Sequence, residues 1–158
     1  VAGILMGKRG LSEKDALLIA RMTGGRVGDA LSADAADLGE RRAAFLKVLG
    51  EIAAKPPSAV LRHAEAVAKE DSGLEDFTFF GTLWFRDLLV ILVGGGEELA
   101  YNRDMADELG RWTAGMTPYR CEEALTLLRE TGRALERTFN RRLVAEDLFF
   151  RLREEVLG

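Results

Sequence analysis

The sequence has very few of the residues that usually carry chemistry. Among 158 residues there is one cysteine, Cys121, and one histidine, His63. A single cysteine excludes an internal disulfide and any multi-cysteine zinc site. Nothing in its use argues for an oxidising compartment, so a cytoplasmic setting is expected. One histidine beside one cysteine also leaves too few soft ligands for a zinc centre. Long uninterrupted apolar runs are missing as well. The most apolar stretch, Phe77 to Val93, carries Arg86 and Asp87 near its middle, and a membrane span would not hold both. No leader-like segment is visible and the first residue is Val1, so the chain is expected to be a piece of a longer protein. A strong positive charge is absent too. The formal net charge is −4, which argues against a chain whose main task is gripping DNA.

What is present is helical periodicity. Apolar residues recur at 3.6-residue spacing almost throughout, and no segment sustains a period of two. Ser12 is suited to cap a helix carrying Ala16, Leu17, Ile19 and Ala20, with Asp15 answering it as a shortened capping box. Gly24-Gly25 stops that helix, and a short one through Ala30 follows. Leu38, Phe45, Leu49 and Ile52 form one stripe on a long helix that Pro56-Pro57 ends. Ser58 is expected to cap a helix with Val60, Leu61, Ala64, Val67 and Ala68 on one face. Asp71-Ser72-Gly73 reads as a turn. The helix from Phe77 to Val93 is apolar nearly all round, so other helices should surround it. Gly94-Gly95-Gly96 ends it. Asn102 is suited to cap a helix bearing Met105, Leu109 and Trp112. Thr117-Pro118 is a cap followed by proline at the first helical position. The helix it starts aligns Cys121, Leu125, Leu128, Gly132, Leu135 and Phe139. Asn140 opens a last helix with Val144, Leu148, Leu152 and Val156 turned inward.

The fold class is therefore all-α: a small helical piece over residues 1–33, then a bundle of about six helices over residues 34–158. Charge divides at the same place. Residues 1–33 hold five basic and three acidic side chains, and residues 34–158 hold 17 basic and 23 acidic.

The stretch GGRVGDAL at residues 24–31 has the glycines of a phosphate loop but not its context. A Walker-type loop follows a strand and ends in Gly-Lys-Ser/Thr. Here a helix precedes and no lysine follows. The glycines are better used as helix punctuation, with Gly24 or Gly25 left-handed and Gly28 allowing close packing. His63 falls off the apolar face of its helix and reads as a solvated surface residue. Cys121 lies on a buried seam with no histidine near in sequence to activate it. Glu97-Glu98, Glu122-Glu123 and Glu154-Glu155 are adjacent helical or loop pairs, which do not converge as acid–base catalysis requires. No catalytic constellation, metal site or cofactor site is expected.

The residues left as candidates for interface or register-fixing roles are Trp84, Arg86, Asp87, Arg129, Arg133, Arg137, Asn140, Arg141 and Leu143. A buried charge costs several kcal/mol unless paired. Arg86 and Asp87 point about 100° apart on a helix, so each is expected to have its own partner. Either they pair within the bundle and fix its register, or they face another subunit. Arg129, Arg133, Arg137 and Arg141 recur every four residues and would form a basic stripe if the helix runs that far. That stripe is a solvated face with Glu130 and Glu136 as local partners, a contact for an acidic partner, or a sequence-nonspecific DNA contact.

Four segments in order resemble the carboxy-terminal part of the delta-prime clamp-loader subunits of bacterial DNA polymerase III. They are Leu11-Ser-Glu-Lys-Asp-Ala-Leu-Leu-Ile-Ala, GGRVGDAL, Leu83-Trp-Phe-Arg-Asp-Leu-Leu, and Asn140-Arg-Arg-Leu-Val-Ala-Glu-Asp-Leu. The resemblance covers residues 11–31 and 80–158. It implies that residues 1–33 end an AAA+ lid and residues 34–158 form a collar domain that holds a subunit ring together. The partners implied are the gamma/tau and delta subunits through the collar. The sliding clamp and primer-template DNA would be met only through the complete complex, and no membrane is involved. In the ATP-hydrolysing relatives a sensor-2 arginine stands where this chain has Gly28. Arg26 lies two positions earlier, about 200° away around a helix. The glycine favours the non-hydrolysing delta-prime type over the gamma/tau motors. Arg120-Cys121 follows Tyr119 and is not the family's Ser-Arg-Cys motif. The expectation is a non-enzymatic scaffold for DNA replication. A motor subunit's carboxy-terminal region, the helical accessory domain of another enzyme, and a stand-alone helical regulator that binds nucleic acid through the arginine stripe remain as alternatives.

Overall fold

A computed structural model describes every residue except Gly24, Ala33, Lys55, Thr138 and Phe139, together with the side chain of Asp29. Among the described residues the chain is 82% helical and has no strand, which makes the fold all-α. The helices are α1 (Ala2–Arg9), α2 (Glu13–Met22), α3 (Val27–Ser32), α4 (Ala35–Ala54), α5 (Pro57–Lys69), α6 (Gly73–Leu92), α7 (Ala106–Thr113), α8 (Pro118–Leu135) and α9 (Arg141–Arg151). A π-helical stretch, Leu152–Leu157, continues α9. None of these helices is long and apolar enough to cross a membrane. Internal packing divides the chain into two compact units, Val1–Ala44 and Phe45–Gly158. The division falls inside α4, later than the change of charge at residue 33.

In the first unit α1 packs on α2. Helix α1 was not expected from periodicity. It ends at Gly10, whose φ of 63° needs a residue without a Cβ and whose N–H returns to the Met6 carbonyl. The Ser12 hydroxyl accepts from the Asp15 N–H and donates to its carboxylate, so the shortened capping box forms. The far end of α2 is closed by Gly25, at φ 79°, with its N–H on the Ala20 carbonyl. Gly24 lies outside the described residues.

The second unit is built around α6, which packs most extensively on α8, while α5 packs on α9. Leu74, Phe77, Phe80, Gly81, Trp84, Phe85 and Leu88 of α6 are buried. Phe77 sits between Phe45 of α4, at 5.0 Å between ring centroids, and Phe149 of α9, at 4.7 Å. Such tilted pairs add about 1 kcal/mol each beyond the area they bury. Gly81 lets α8 come close to α6. A Cβ there would stand 3.1 Å from both Leu128 methyls and 3.3 Å from Phe45.

Several local expectations need correction. Ser58 is not a cap: Pro56 is the cap and Pro57 the first helical residue of α5, because proline fits that position without a missing hydrogen bond. Leu61 is 40% exposed, and Ala59 takes the buried place beside Val60, Ala64 and Val67. Helix α6 starts at Gly73, directly after a left-handed Ser72 at φ 60°. The buried seam of α8 is rotated from the expected one. Cys121, Ala124, Leu127, Leu128 and Thr131 are buried, while Leu125, Gly132 and Leu135 lie at its edge. Phe139 falls outside the described residues. Gly28 does not permit close packing, since no described heavy atom lies within 4 Å of where its Cβ would be.

Candidate functional site

The polar residues set inside α6 tie down the connection that follows it. Helix α6 ends in a Schellman motif: Gly94, at φ 86°, donates to the Ile91 carbonyl and Gly95 to that of Val90. The chain then turns back through a short 3-10 turn, Glu97–Leu99, and passes Asp87. The Asp87 carboxylate is fully buried and accepts four hydrogen bonds. Tyr101 N–H donates at 2.9 Å, Asn102 N–H and Asn102 Nδ2 at 2.8 Å each, and Arg86 Nη1 at 3.0 Å. Arg86 Nη1 also donates to the Leu99 carbonyl at 2.7 Å, and the guanidinium lies 4.5 Å from the centre of the Tyr101 ring. Four donors on one buried carboxylate offset the cost of removing it from water.

This corrects two expectations. Arg86 and Asp87 bond each other, although their Cβ directions diverge, because the long arginine side chain bends back. Both also bind the loop over residues 99–102. Asn102 does not cap the following helix; its amide is spent on Asp87, and a 3-10 turn, Arg103–Met105, intervenes before α7. Trp84 is buried beside them. Its ring meets Trp112 edge-on, 6.4 Å between centroids at 89°, and its Nε1 has no partner among the described residues.

The arginine stripe breaks. Helix α8 stops at Leu135, so Arg129 and Arg133 share it while Arg137 lies beyond its end. Arg129 and Arg133 are exposed and make no ion pair among the described residues. Glu130 pairs with Arg151 of α9 at 3.1 Å, not with a neighbour on α8. Arg141 opens α9 and clamps Glu75 of α6 through both guanidinium ends, at 2.7 and 2.5 Å. That bond holds the Glu75 carboxyl below the usual carboxylate range and raises the arginine further. Asn140 caps α9 by accepting the Leu143 N–H at 3.1 Å, and Leu143 itself is 59% exposed.

Cys121 and His63 are both engaged by their surroundings. Burial, with Glu122 beside it, pushes the Cys121 thiol up to about 11, so it carries almost no thiolate at neutral pH. His63 is not a free surface residue: its Nε2 lies 3.0 Å from Glu51 Oε2, and the imidazole is only 21% exposed. Among the described residues no group of histidine, cysteine and carboxylates could hold a metal ion. Two shallow grooves open on the second unit. One, of about 330 Å³, is floored by Trp112 and Met116, with Glu108 holding both the Trp112 N–H and Arg111 at its edge. The other, of about 410 Å³, runs between α8 and α9 over Leu127, Ala134 and Leu148. On the rim of the second groove Arg151 draws in both Glu130, at 3.1 Å, and Asp147, at 4.0 Å.

Comparison with protein-family models, curated proteins and solved structures finds no match.

At the glycine-rich turn, Arg26 turns back rather than outward. Its Nε donates to the Thr23 carbonyl at 3.2 Å, on the end of α2. Gly28 is exposed on α3. Periodicity missed the Asp87 lock, and its signal was the asparagine at 102. An asparagine placed before a short turn can bind a distant carboxylate as readily as its own helix.

Proposed function

We propose that this chain is the end of an AAA+ lid and the collar domain of a delta-prime-like clamp-loader subunit, acting as a non-catalytic scaffold in the bacterial cytoplasm. It would pack a helical surface against the gamma/tau and delta subunits and orient its AAA+ module. The complete ring could then open a sliding clamp at primer-template DNA. The order of the four sequence segments supports this reading. So does the chemistry of the fold: its buried carboxylate, its only histidine and its only cysteine are each engaged or inert.

The observation that carries the non-motor part of the reading is Gly28. It is exposed, lacks a side chain, and has open space around its Cβ position. An arginine would fit there sterically, so its absence is not forced by packing. A subunit without that charge has one contact fewer to the phosphates of a nucleotide.

The test uses the chain as it stands. Mixed at micromolar concentration with the collar regions of gamma/tau and delta subunits, it should co-elute with them in gel filtration. Separate elution of all components at tens of micromolar would overturn the scaffold assignment. In a chain that includes the AAA+ module, Gly28→Arg tests the motor alternative. Recovery of ATP hydrolysis by that variant would favour a degenerate motor over a dedicated scaffold.

A further inference from the structure

The groove between α8 and α9 is one continuous surface enclosing about 410 Å³. Leu127 and Leu148 line it with almost no exposure of their own, and Ala134 and Val144 line it half-buried. Leu143 stands in the same lining with 59% of its surface exposed. On each helix the lining residues recur at the helical period, so the two helices present parallel rows of side chains. Two such rows form the valley into which the ridge of a third helix packs.

The charge of the groove is one-sided. Among the described residues Arg151 is the one cation in its lining. Glu130 and Asp147 of the same lining stand 3.1 and 4.0 Å from one of its nitrogens, and Glu155 holds its Nε at 3.1 Å. Three carboxylates about one guanidinium leave negative charge in excess, and they repel one another. A second cation placed among them relieves that repulsion. Arg129 and Arg133 share α8 but do not line the groove. The groove over Trp112 has no such excess, because its one carboxylate, Glu108, is matched by Arg111. Unbalanced charge beside an apolar cleft selects the opposite charge on a partner.

We propose that the α8–α9 groove takes an amphipathic α-helix of a partner protein, with the partner's apolar ridge on Ala134, Leu143 and Val144 and its lysine or arginine between Glu130 and Asp147. From Leu127 to Ala134 the groove follows α8 for about 10 Å, so a partner helix of about four turns covers it. The contact depends on the groove's shape and charge, and holds whether or not the chain is a scaffold subunit.

Fluorescence anisotropy tests it with a labelled synthetic peptide of about 15 residues, a helix with leucine along one stripe and lysine beside it. The chain should bind this peptide with a Kd of about 10 μM, and more weakly as salt rises. The same peptide with glutamate for lysine should bind about tenfold more weakly or worse. Leu143→Asp should weaken the lysine peptide about tenfold. Glu130→Lys with Asp147→Lys should reverse the preference, so that the glutamate peptide binds more tightly. Both carboxylates are more than half exposed, at 54% and 66%, so the fold should survive, and an unchanged circular dichroism melt checks that. Glu97→Lys with Glu98→Lys changes the net charge equally outside the groove, and should keep the preference for lysine. Failure of the wild-type chain to bind the lysine peptide at about 100 μM would overturn the proposal. So would a lysine preference that survives in the Glu130/Asp147 variant, or one lost equally in the Glu97/Glu98 variant. A wild-type dimer in sedimentation that Leu143→Asp dissociates would make a second copy the occupant, and would overturn it as well.

Discussion

Asp87 holds Asn102 twice, through the backbone N–H and the side-chain amide, each at 2.8 Å from the same carboxylate oxygen. The two residues are separated by the end of α6, three glycines and a 3-10 turn. The bond is therefore a long-range tie, closed by a carboxylate with no exposure to solvent.

Asp87→Asn should destabilise the chain by about 3 kcal/mol, because an amide nitrogen would face donors where an oxygen now accepts. Arg86→Met should cost about 1 kcal/mol, since three N–H donors remain on Asp87. Urea unfolding followed by tryptophan fluorescence measures both. Equal effects for the two variants would mean that the arginine, not the backbone N–H groups, dominates the network.

Gly81 leaves no room for a larger side chain where α6 packs on α8. Gly81→Leu should cost about 1–3 kcal/mol through overpacking against Leu128 and Phe45. Gly81→Ala should be near neutral. Alanine gains about 1 kcal/mol of helix propensity, which the crowded methyls of Leu128 offset. Thermal melts of the two variants separate these effects.

How much of this was legible in the sequence depends on the kind of contact. Helices with strong apolar stripes, such as α4 and α6, could be read because burial repeats at the helical period. The exact seam of α8 could not. Ala124 and Thr131 are buried on either side of Leu128, whose methyls pack where α6 presents Gly81, a fact held in another helix. The Thr131 hydroxyl satisfies itself on the Leu127 carbonyl at 2.9 Å, which makes a polar residue tolerable inside. Helix α1 has few large apolar residues, and its glycines at 3 and 7 weaken the pattern. The Arg86–Asp87 bond was misread because Cβ direction predicts little for a side chain as long as arginine. The arginine stripe failed where α8 ended, and no glycine or proline marks that end.

The Glu75–Arg141 clamp should show in acid unfolding. Arg141 lowers the folded-state pKa of Glu75 by its hydrogen bonds. The clamp therefore contributes fully above the ordinary carboxylate pKa of about 4.3 and is lost as pH falls through the lower folded value. Glu75 is 49% exposed and Arg141 34%, so solvent screening limits the contribution to about 0.5–1 kcal/mol. Glu75→Gln should remove that part of the acid limb when stability is measured by urea from pH 6 to pH 2. An unaltered pH profile would show the clamp to be energetically silent.

Cys121 should be slow to react. In the unfolded chain the thiol ionises near pH 8.5, whereas in the fold it is held up to about 11. At pH 8 the native chain should react with a disulfide reagent about a hundredfold more slowly than the urea-unfolded chain. The same shift has a stability consequence. Between the two values the unfolded chain releases a proton that the folded chain keeps, so stability should fall as pH rises through that window. A rapidly labelled native thiol would contradict the burial of this helix face.

The contact between His63 and Glu51 places the chain's sole imidazole across the corner where α4 gives way to α5. A proton spectrum of this molecule holds one set of imidazole signals, which need no isotope labelling or sequential assignment. Their chemical shift and line width would follow the closing and opening of that corner in any mixture, including one crowded with larger subunits. The chain's sole histidine thus becomes a native spectroscopic marker for the packing of these two helices.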